Sequence, residues 1–289
     1  MTGRFGGRRA LVTGASRGIG SGLARRLAAE GASVAITART LRESSKLPGS
    51  LTETAELIRA AGGTAVCIVA ALEDAEARAG IAAEAQDKLG GPIDILVNNA
   101  AAAVYQPSRE YPLKRRRMAF EVNFHAPLDL AQAVIPGMIE RGGGWIVNLS
   151  SGTARLREVQ PRTDGSTGLD DSIFGTGIYG ASKAALDRLT NILAAELNGT
   201  GVRVNAIRPR SGVLTDGAIR VAGDLVGTSH FLPESLEAMV EATLMLCDCS
   251  PDWTGRIEVS LDILERLSII PRGLDGSVRA RVDEYSAQR

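Results

Sequence analysis

Short, continuous apolar runs alternate with longer helix-forming segments along most of this chain. We predict that the runs rich in Val, Ile and Leu are strands: Ala10–Val12, Val34–Ala38, Ala65–Ala70, Ile93–Val97, Trp145–Leu149, Val202–Ile207 and Ile257–Val259. Continuous rather than alternating apolar runs are typical of strands buried on both faces of a parallel sheet. The segments between them are long enough for crossover helices: Gly20–Glu30, Leu51–Ala61, Glu73–Leu89, Met118–Arg141, Gly180–Leu197 and Leu236–Leu246. The pattern predicts an α/β fold with a doubly wound parallel sheet.

The alternation covers residues 1–268, which we predict to form one domain. The chain has 289 residues, and its composition does not change along its length. Three stretches fall outside the alternation: a long loop at about 152–177, a partly helical flap at about 210–233, and a C-terminal arm at 269–289.

The charge balance favours a small-molecule partner. Lys plus Arg and Asp plus Glu both total 33, so neither a nucleic-acid surface nor a polybasic membrane anchor is expected. No apolar run reaches the ~18 residues of a membrane span. The three cysteines and two histidines form no ligand-like cluster, so no metal site is expected. The first predicted strand begins too early for a signal peptide, and we expect a cytoplasmic protein.

A glycine-rich turn follows the first predicted strand and opens the first helix. Gly14, Gly18 and Gly20 lie in the segment Thr13-Gly-Ala-Ser-Arg-Gly-Ile-Gly20. Such a turn lets the pyrophosphate of a dinucleotide approach free backbone N–H groups at the positive end of a helix dipole. The spacing is GxxxGxG rather than GxGxxG, and a glycine turn without a ligand is the alternative.

The end of the second strand indicates which dinucleotide is bound. NAD enzymes place an acidic side chain there to bind the ribose 2′-hydroxyl. This chain has Arg39 and Thr40 instead, and Arg17 lies within the glycine turn. Two guanidinium groups suit a 2′-phosphate, so NADP(H) is expected in preference to NAD(H). The alternative is that both arginines are solvated loop residues.

Tyr179 and Lys183 are four residues apart at the start of a predicted helix, so they share one helix face. A free phenol titrates near ~10, and a cation one turn away stabilises its phenolate. The pair therefore suits acid–base chemistry at neutral pH. The alternative is a chance pair on the surface of an amphipathic helix.

Taken together, these motifs resemble those of the short-chain dehydrogenases/reductases over roughly residues 6–262. The resemblance rests on TGASRGIG at 13–20, DILVNNA at 94–100, Asn123 within FEVNFHAP, IVNLSS at 146–151 and YGASK at 179–183. It implies a Rossmann-type single domain, assembly as a homodimer or homotetramer, and hydride transfer between a nicotinamide cofactor and an alcohol or carbonyl.

The resemblance also implies a role for individual residues. Tyr179 would be the general acid/base, Lys183 would lower its pKa and bind the nicotinamide ribose, Ser151 would bind the substrate carbonyl, and Asn123 would help to hold a water in a proton relay. For Ser150 and Asn99 we favour a structural role. The residues expected to contact the cofactor are Gly14, Ser16, Arg17, Gly18, Ile19, Gly20, Arg39, Thr40, Leu72, Asn98, Tyr179, Lys183 and Pro209.

Four features depart from the family pattern. Ala101 replaces a glycine beside the cofactor, and would be strained if its φ were positive. Ala71 replaces an aspartate near the adenine amine, and Arg210 replaces a glycine facing the nicotinamide. Arg210 is expected either to face solvent or to bind an anionic group of the substrate. The separation from Ser151 to Tyr179 is long, so part of 154–176 is either a lid or a surface excursion.

Two functions from different classes remain. The first is an NADP(H)-dependent oxidoreductase that acts on the carbonyl or secondary alcohol of a mostly apolar small molecule, with flap residues Leu214, Ile219 and Phe231 lining its pocket. The second is an NADP-binding sensor or oligomer partner that keeps the fold without turnover. The altered glycine positions 101 and 210 favour the sensor.

Overall fold

Residues 3–42, 48–156, 175–213, 215 and 233–278 are described by a computed structural model of the chain. Within them, seven parallel strands form one sheet: β1 (Arg9–Thr13), β2 (Ser33–Ala38), β3 (Thr64–Val69), β4 (Ile95–Asn98), β5 (Gly144–Leu149), β6 (Val202–Arg208) and β9 (Ile257–Val259). Their order is β3-β2-β1-β4-β5-β6-β9. The predicted doubly wound parallel sheet is confirmed.

Helices cover both faces of this sheet. Their bounds are α1 (Gly18–Ala29), α2 (Leu51–Ala60), α3 (Ala75–Ala79), α4 (Ile81–Leu89), α5 (Leu113–Phe120), α6 (Ala126–Glu140), α7 (Gly177–Glu196), α8 (Leu236–Leu246) and α9 (Ser260–Leu267). A π-helical turn, Glu121–His125, joins α5 to α6. No helix among the described residues is long and apolar enough to cross a membrane.

The strand order reverses between β1 and β4, which places a crevice at the carboxyl ends of these two strands. Both faces of the sheet are packed. One apolar cluster contains Leu23, Leu27 and Val240, and the other contains Leu130 and Val204 on the opposite face. Every residue of β5 is buried, as its continuous apolar run predicts.

Two predicted helices differ from those observed. The segment Glu73–Leu89 is divided at Gly80 into α3 and α4, because glycine is a poor helix former. The carboxylate of Asp74 caps the start of α3. The helix predicted over Met118–Arg141 begins five residues earlier, at Leu113. Four consecutive cations follow Leu113, so the start of this helix has no apolar residues at helical spacing and was not predicted.

The loop at 152–177 and the flap at 210–233 lie largely outside the described residues, which exclude 157–174 and 216–232. The ends of the flap are joined by a short parallel pair, β7 (Gly212–Val213) with β8 (Pro233–Glu234). Of the predicted arm, residues 269–278 are described. They are held by Arg26, which donates to the carbonyl of Gly273 at 3.3 Å, and by Glu241, which accepts from the N–H of Arg272 at 3.1 Å.

Candidate active site

The first turns of α7 bring Tyr179 and Lys183 into the crevice beside β5. Both side chains are buried, with residue exposures of 9% and 1%. The Lys183 Nζ donates to the carbonyl of Leu149 at 2.6 Å, and lies 6.0 Å from the centroid of the Tyr179 ring. The ammonium is therefore fixed beneath the phenol rather than exposed on the helix surface. The chance surface pair is excluded.

Ser151 follows β5 directly and lies next to Tyr179. Its hydroxyl begins the short 3₁₀ turn Gly152–Ala154, where it accepts from the N–H of Thr153 at 3.2 Å and from the Thr153 hydroxyl at 2.9 Å. Its side chain also lies close enough to that of Tyr179 to lower the pKa of the phenol. The two hydroxyls are therefore neighbours, and both could bind a single substrate oxygen.

Burial dominates the acid–base properties of the pair. Burial raises the pKa of Tyr179, and the nearby Tyr105 adds to this effect, while the side chain of Ser151 opposes it. The net shift is upward because burial of the phenol dominates, and the lowering of this pKa expected from Lys183 stays a prediction. Burial also lowers the pKa of Lys183 to about 8, against the opposing charge of Asp187. At neutral pH the phenol keeps its proton and the lysine keeps its charge.

Asn123 lies in the π-helical turn and is fully buried. Its amide nitrogen donates to the carbonyl of Ala102 at 3.1 Å and to the hydroxyl of Ser182 at 2.9 Å, and its oxygen accepts from the N–H of Ala102 at 2.8 Å. Ser182 in turn donates to the carbonyl of Tyr179 at 2.7 Å. Asn123 thus joins the chain after β4 to α7. Its predicted role in a water relay stays a prediction.

Gly180 allows α7 to approach the turn that follows Ser151. A Cβ at this position would lie 2.5 Å from the carbonyl oxygen of Thr153. Real Cβ atoms do not approach a backbone oxygen so closely, so a larger residue would displace the turn. The glycine of the YGASK motif therefore helps to set the distance between Ser151 and Tyr179.

The glycine turn has the backbone geometry that a phosphate site requires. Gly14 and Gly18 have positive φ values of 66° and 54°, which side chains rarely adopt. Asn99 holds the turn from below, since its amide nitrogen donates to the carbonyls of Thr13 and Gly14 at 2.8 and 3.2 Å. A Cβ on Gly20 would lie 2.4 Å from that same nitrogen. The structural role predicted for Asn99 agrees with these contacts.

The two arginines of the predicted phosphate clamp flank the turn and β2. Arg17 donates one guanidinium nitrogen to the carbonyl of Gly49 at 3.1 Å, while its other terminal nitrogen, Nη1, is buried without a hydrogen-bond partner among the described residues. Arg39 is 68% exposed and lies 3.6 Å from the carboxylate of Glu73. A buried, unpaired guanidinium N–H beside a glycine turn fits an anionic ligand, so these residues fit a dinucleotide phosphate.

The remaining predicted cofactor residues lie around the same crevice. Ile19 packs against the core, Leu72 is buried, Thr40 is exposed, and Ser16 and Pro209 are partly buried. Asn98 belongs to the sheet: it donates to Asn148 at 2.8 Å, which in turn donates to Thr190 on α7 at 2.9 Å. This relay ties β4 and β5 to the helix that carries Tyr179 and Lys183.

Comparison with known proteins identifies the family. A model of the short chain dehydrogenase family matches residues 8–161 and 165–222. The ketoacyl reductase HetN of Nostoc sp. is 33% identical over 241 residues, which cover 82% of this chain and 75% of the relative. This chain is a short chain dehydrogenase. An L-xylulose reductase of Bos taurus is 37% identical over 209 residues, which cover 71% of this chain and 72% of the relative.

Solved structures agree with this assignment to an oxidoreductase family. A short chain dehydrogenase of Mycobacterium thermoresistibile superposes with a TM-score of 0.76 at 27% identity, covering 96% of each chain. A 3-oxoacyl (acyl-carrier-protein) reductase of Agrobacterium tumefaciens with NADP bound gives a TM-score of 0.72 at 28% identity, covering 88% of this chain and 93% of that one. The Rossmann-type fold of this short chain dehydrogenase is therefore shared with NADP-binding relatives.

The departures from the family pattern prove mild. Ala101 carries no left-handed strain, since Ser268 is the sole non-glycine residue with positive φ in the described part of the chain. Arg210 points at α9, where it pairs with Asp262 at 2.7 Å and Glu265 at 2.6 Å. Its guanidinium is therefore engaged by two carboxylates of this chain.

Two residues of the site were not predicted from the sequence. The ring of Tyr105 lies 5.9 Å from that of Tyr179 and is tilted by 46°, and a lone aromatic residue in a loop carries no signal for this contact. Asp187, which lies 3.9 Å from Arg208, was detectable as the next i+4 step along α7 from Lys183. The described residues contain no cluster of His, Cys, Asp or Glu suited to a metal ion.

Proposed function

We propose that this short chain dehydrogenase transfers a hydride between NADP(H) and the carbonyl or secondary alcohol of a mostly apolar small molecule. The observation that carries the proposal is that Ser151, at the end of β5, lies beside the buried Tyr179, with the ammonium of Lys183 held nearby by the carbonyl of Leu149. Reduction of a carbonyl leaves negative charge on one oxygen, and both hydroxyls can act on that atom.

In the direction of reduction, Tyr179, Ser151 and Lys183 each have a separate role. Tyr179 donates its proton to the carbonyl oxygen, and its raised pKa keeps that proton available at neutral pH. Ser151 donates a hydrogen bond to the same oxygen. Lys183, which stays charged below a pH of about 8, stabilises the phenolate that remains. The nicotinamide, when bound, supplies the hydride.

The preference for NADP(H) is supported by the charges around the adenine ribose. Arg39 and Thr40 stand where an acid would select NAD, and Arg17 has an unpaired guanidinium nitrogen. The reductase of Agrobacterium tumefaciens that carries bound NADP is consistent with this choice. Glu73 pairs with Arg39 at 3.6 Å, and a 2′-phosphate bound by Arg39 would displace this carboxylate.

The substrate class is proposed from the relatives and from one wall of the crevice. The ketoacyl and L-xylulose reductases are named for carbonyl substrates, which favours carbonyl reduction here. The aromatic ring of Tyr105 beside Tyr179 favours an apolar group next to the reacting carbon. Flap residues 214, 219 and 231 lie outside the described residues. A homodimer or homotetramer in the cytoplasm remains part of the proposal.

The sensor hypothesis loses the two features that favoured it, since Ala101 is unstrained and Arg210 is engaged by α9. Turnover of NADPH against a panel of ketones and aldehydes separates the two functions. We expect Tyr179→Phe to lower kcat by about a hundredfold or more while NADPH binding is retained. Tyr111→Phe is the control, because the Tyr111 hydroxyl donates to the carbonyl of Val104. Binding without turnover in the wild type would instead favour the sensor.

A further inference from the structure

The guanidinium of Arg78 joins three parts of the chain. Arg78 lies on α3, just after β3, and its side chain is 5% exposed. Its Nη1 donates to the carbonyl of Leu72 at 3.0 Å and to the carboxylate of Glu121 at 2.7 Å, and its Nε donates to Asp129 at 2.5 Å. A buried arginine with three fixed acceptors has little freedom, so it holds these groups at set distances from one another.

The contacts connect two ends of the crevice. Leu72 follows the end of β3, where the adenine of the cofactor is expected. Glu121 begins the π-helical turn that carries Asn123, and Asp129 lies in the first turn of α6. Arg78 therefore fixes the loop after β3 against the helix that starts beside the catalytic groups.

In this chain, the loop after β3 is expected to contact the adenine of the cofactor through its backbone. Ala71 stands where the family resemblance places an aspartate near the adenine amine, and alanine offers no polar side chain. Two residues further on, Glu73 pairs with Arg39 of the proposed phosphate clamp. The carbonyl of Leu72, which Arg78 binds, therefore lies between Ala71 at the expected adenine site and Glu73, which pairs with Arg39.

We propose that Arg78 is a positioning residue for the adenine end of the cofactor, and that it acts through the carbonyl of Leu72. This inference rests on the proposed function, because it requires NADP(H) in the crevice. Arg78 touches neither the substrate nor the reacting atoms. Its effect is on the binding of the adenosine phosphate half, with the nicotinamide half unaffected.

Arg26 provides a matched control. It is 1% exposed, and it likewise pairs with two carboxylates, Glu30 at 2.5 Å and Glu241 at 2.9 Å, and donates to one carbonyl, that of Gly273. It lies near the end of α1 that is farther from the glycine turn. Loss of Arg26 therefore removes a comparable buried network without touching the predicted adenine site.

The experiment measures binding of two cofactor fragments, adenosine 2′,5′-bisphosphate and nicotinamide mononucleotide, by calorimetry on the folded proteins. We expect Arg78→Met to weaken the bisphosphate by about three- to tenfold, with the mononucleotide unchanged. Arg78→Lys keeps the charge but loses the planar guanidinium, so its affinity for the bisphosphate should lie between those of the wild type and Arg78→Met. Arg26→Met should lower thermal stability and leave both affinities unchanged.

Unchanged bisphosphate affinity in Arg78→Met, or equal weakening in Arg26→Met, would overturn the inference while leaving the proposed function intact. A wild-type protein that binds neither fragment would overturn the proposed cofactor, and the inference with it. If Arg78→Met does not fold, Asp129→Asn loosens the same guanidinium and retains Leu72. It should weaken the bisphosphate by a smaller factor, and no weakening would count against the inference.

Discussion

Glu234 is a buried carboxyl group that should make the stability of this protein depend on pH. It ends β8 at the base of the flap, where its carboxylate accepts from the N–H of Arg210 at 2.8 Å and from the hydroxyl of Ser260. Burial raises its pKa to about 7, although both hydrogen bonds and the charge of Arg210 oppose the shift. Asp262, on α9, adds to the rise.

The sign of the effect follows from the two pKa values. Between the ordinary value of 4.5 and the folded value of about 7, the folded state binds more protons than the unfolded state. The free energy of unfolding therefore falls as pH rises through this window, and levels off above it. A shift of this size corresponds to at most roughly 3 kcal/mol, since each pKa unit is equivalent to ~1.4 kcal/mol.

The perturbation is Glu234→Gln, which resembles the protonated carboxyl group and cannot ionise. Denaturation in urea between pH 4.5 and 8 gives the free energy of unfolding for wild type and variant. We expect the two to be similar near pH 4.5, and the variant to be more stable at pH 8 by up to roughly 3 kcal/mol. Glu140→Gln, at an exposed site at the end of α6, is the control and should follow the wild type at each pH.

A constant difference between Glu234→Gln and wild type across the pH range would refute this reasoning, since it would mean that Glu234 does not titrate in the window. A variant that is less stable at pH 8 would refute it more strongly. In that case the ionised carboxylate would be stabilised by its partners, and not destabilised by burial.

Three further predictions concern the site itself. Arg39→Asp should raise the ratio of the NADPH to the NADH dissociation constant by about tenfold or more, measured by fluorescence titration, and an unchanged ratio would reject the clamp. Gly180→Ala should lower kcat by about ten- to a hundredfold with NADPH binding intact, because the new Cβ would displace Thr153 and with it Ser151. Since Lys183 has a pKa of about 8, kcat/KM for reduction should decline as pH rises through that value, and a flat profile to pH 9 would contradict its role.

The sheet was predictable because its strands are buried on both faces. In an α/β chain, a continuous apolar run such as that of β5 indicates a buried parallel strand. The observed bounds of β5 differ from the prediction by a single residue. Strand β4 was placed two residues early, because Ile93 is buried and apolar but precedes the strand. The starts of helices were harder to predict where the first turn is polar, as in α5, because such a turn has no apolar residues at helical spacing.

The site was predictable only as far as local spacing reaches. The i, i+4 relation of Tyr179 and Lys183 places both on one face of α7, but it does not show that the ammonium binds the carbonyl of Leu149. The contact of Tyr105 with Tyr179 and the two carboxylate contacts of Arg78 join segments far apart in sequence. Such contacts depend on tertiary packing, which motif spacing does not encode. The burial that raises the pKa of Tyr179 likewise depends on tertiary packing.

Transfer of deuterium from the cofactor tests the central claim most directly. NADPH labelled with deuterium at both C4 positions is incubated with the protein and its best carbonyl substrate, and the alcohol is examined by mass spectrometry. We expect the alcohol to carry one deuterium on the carbon that was reduced, and Tyr179→Phe to abolish most of this product. An alcohol without deuterium, or labelled product formed equally well by Tyr179→Phe, would contradict it.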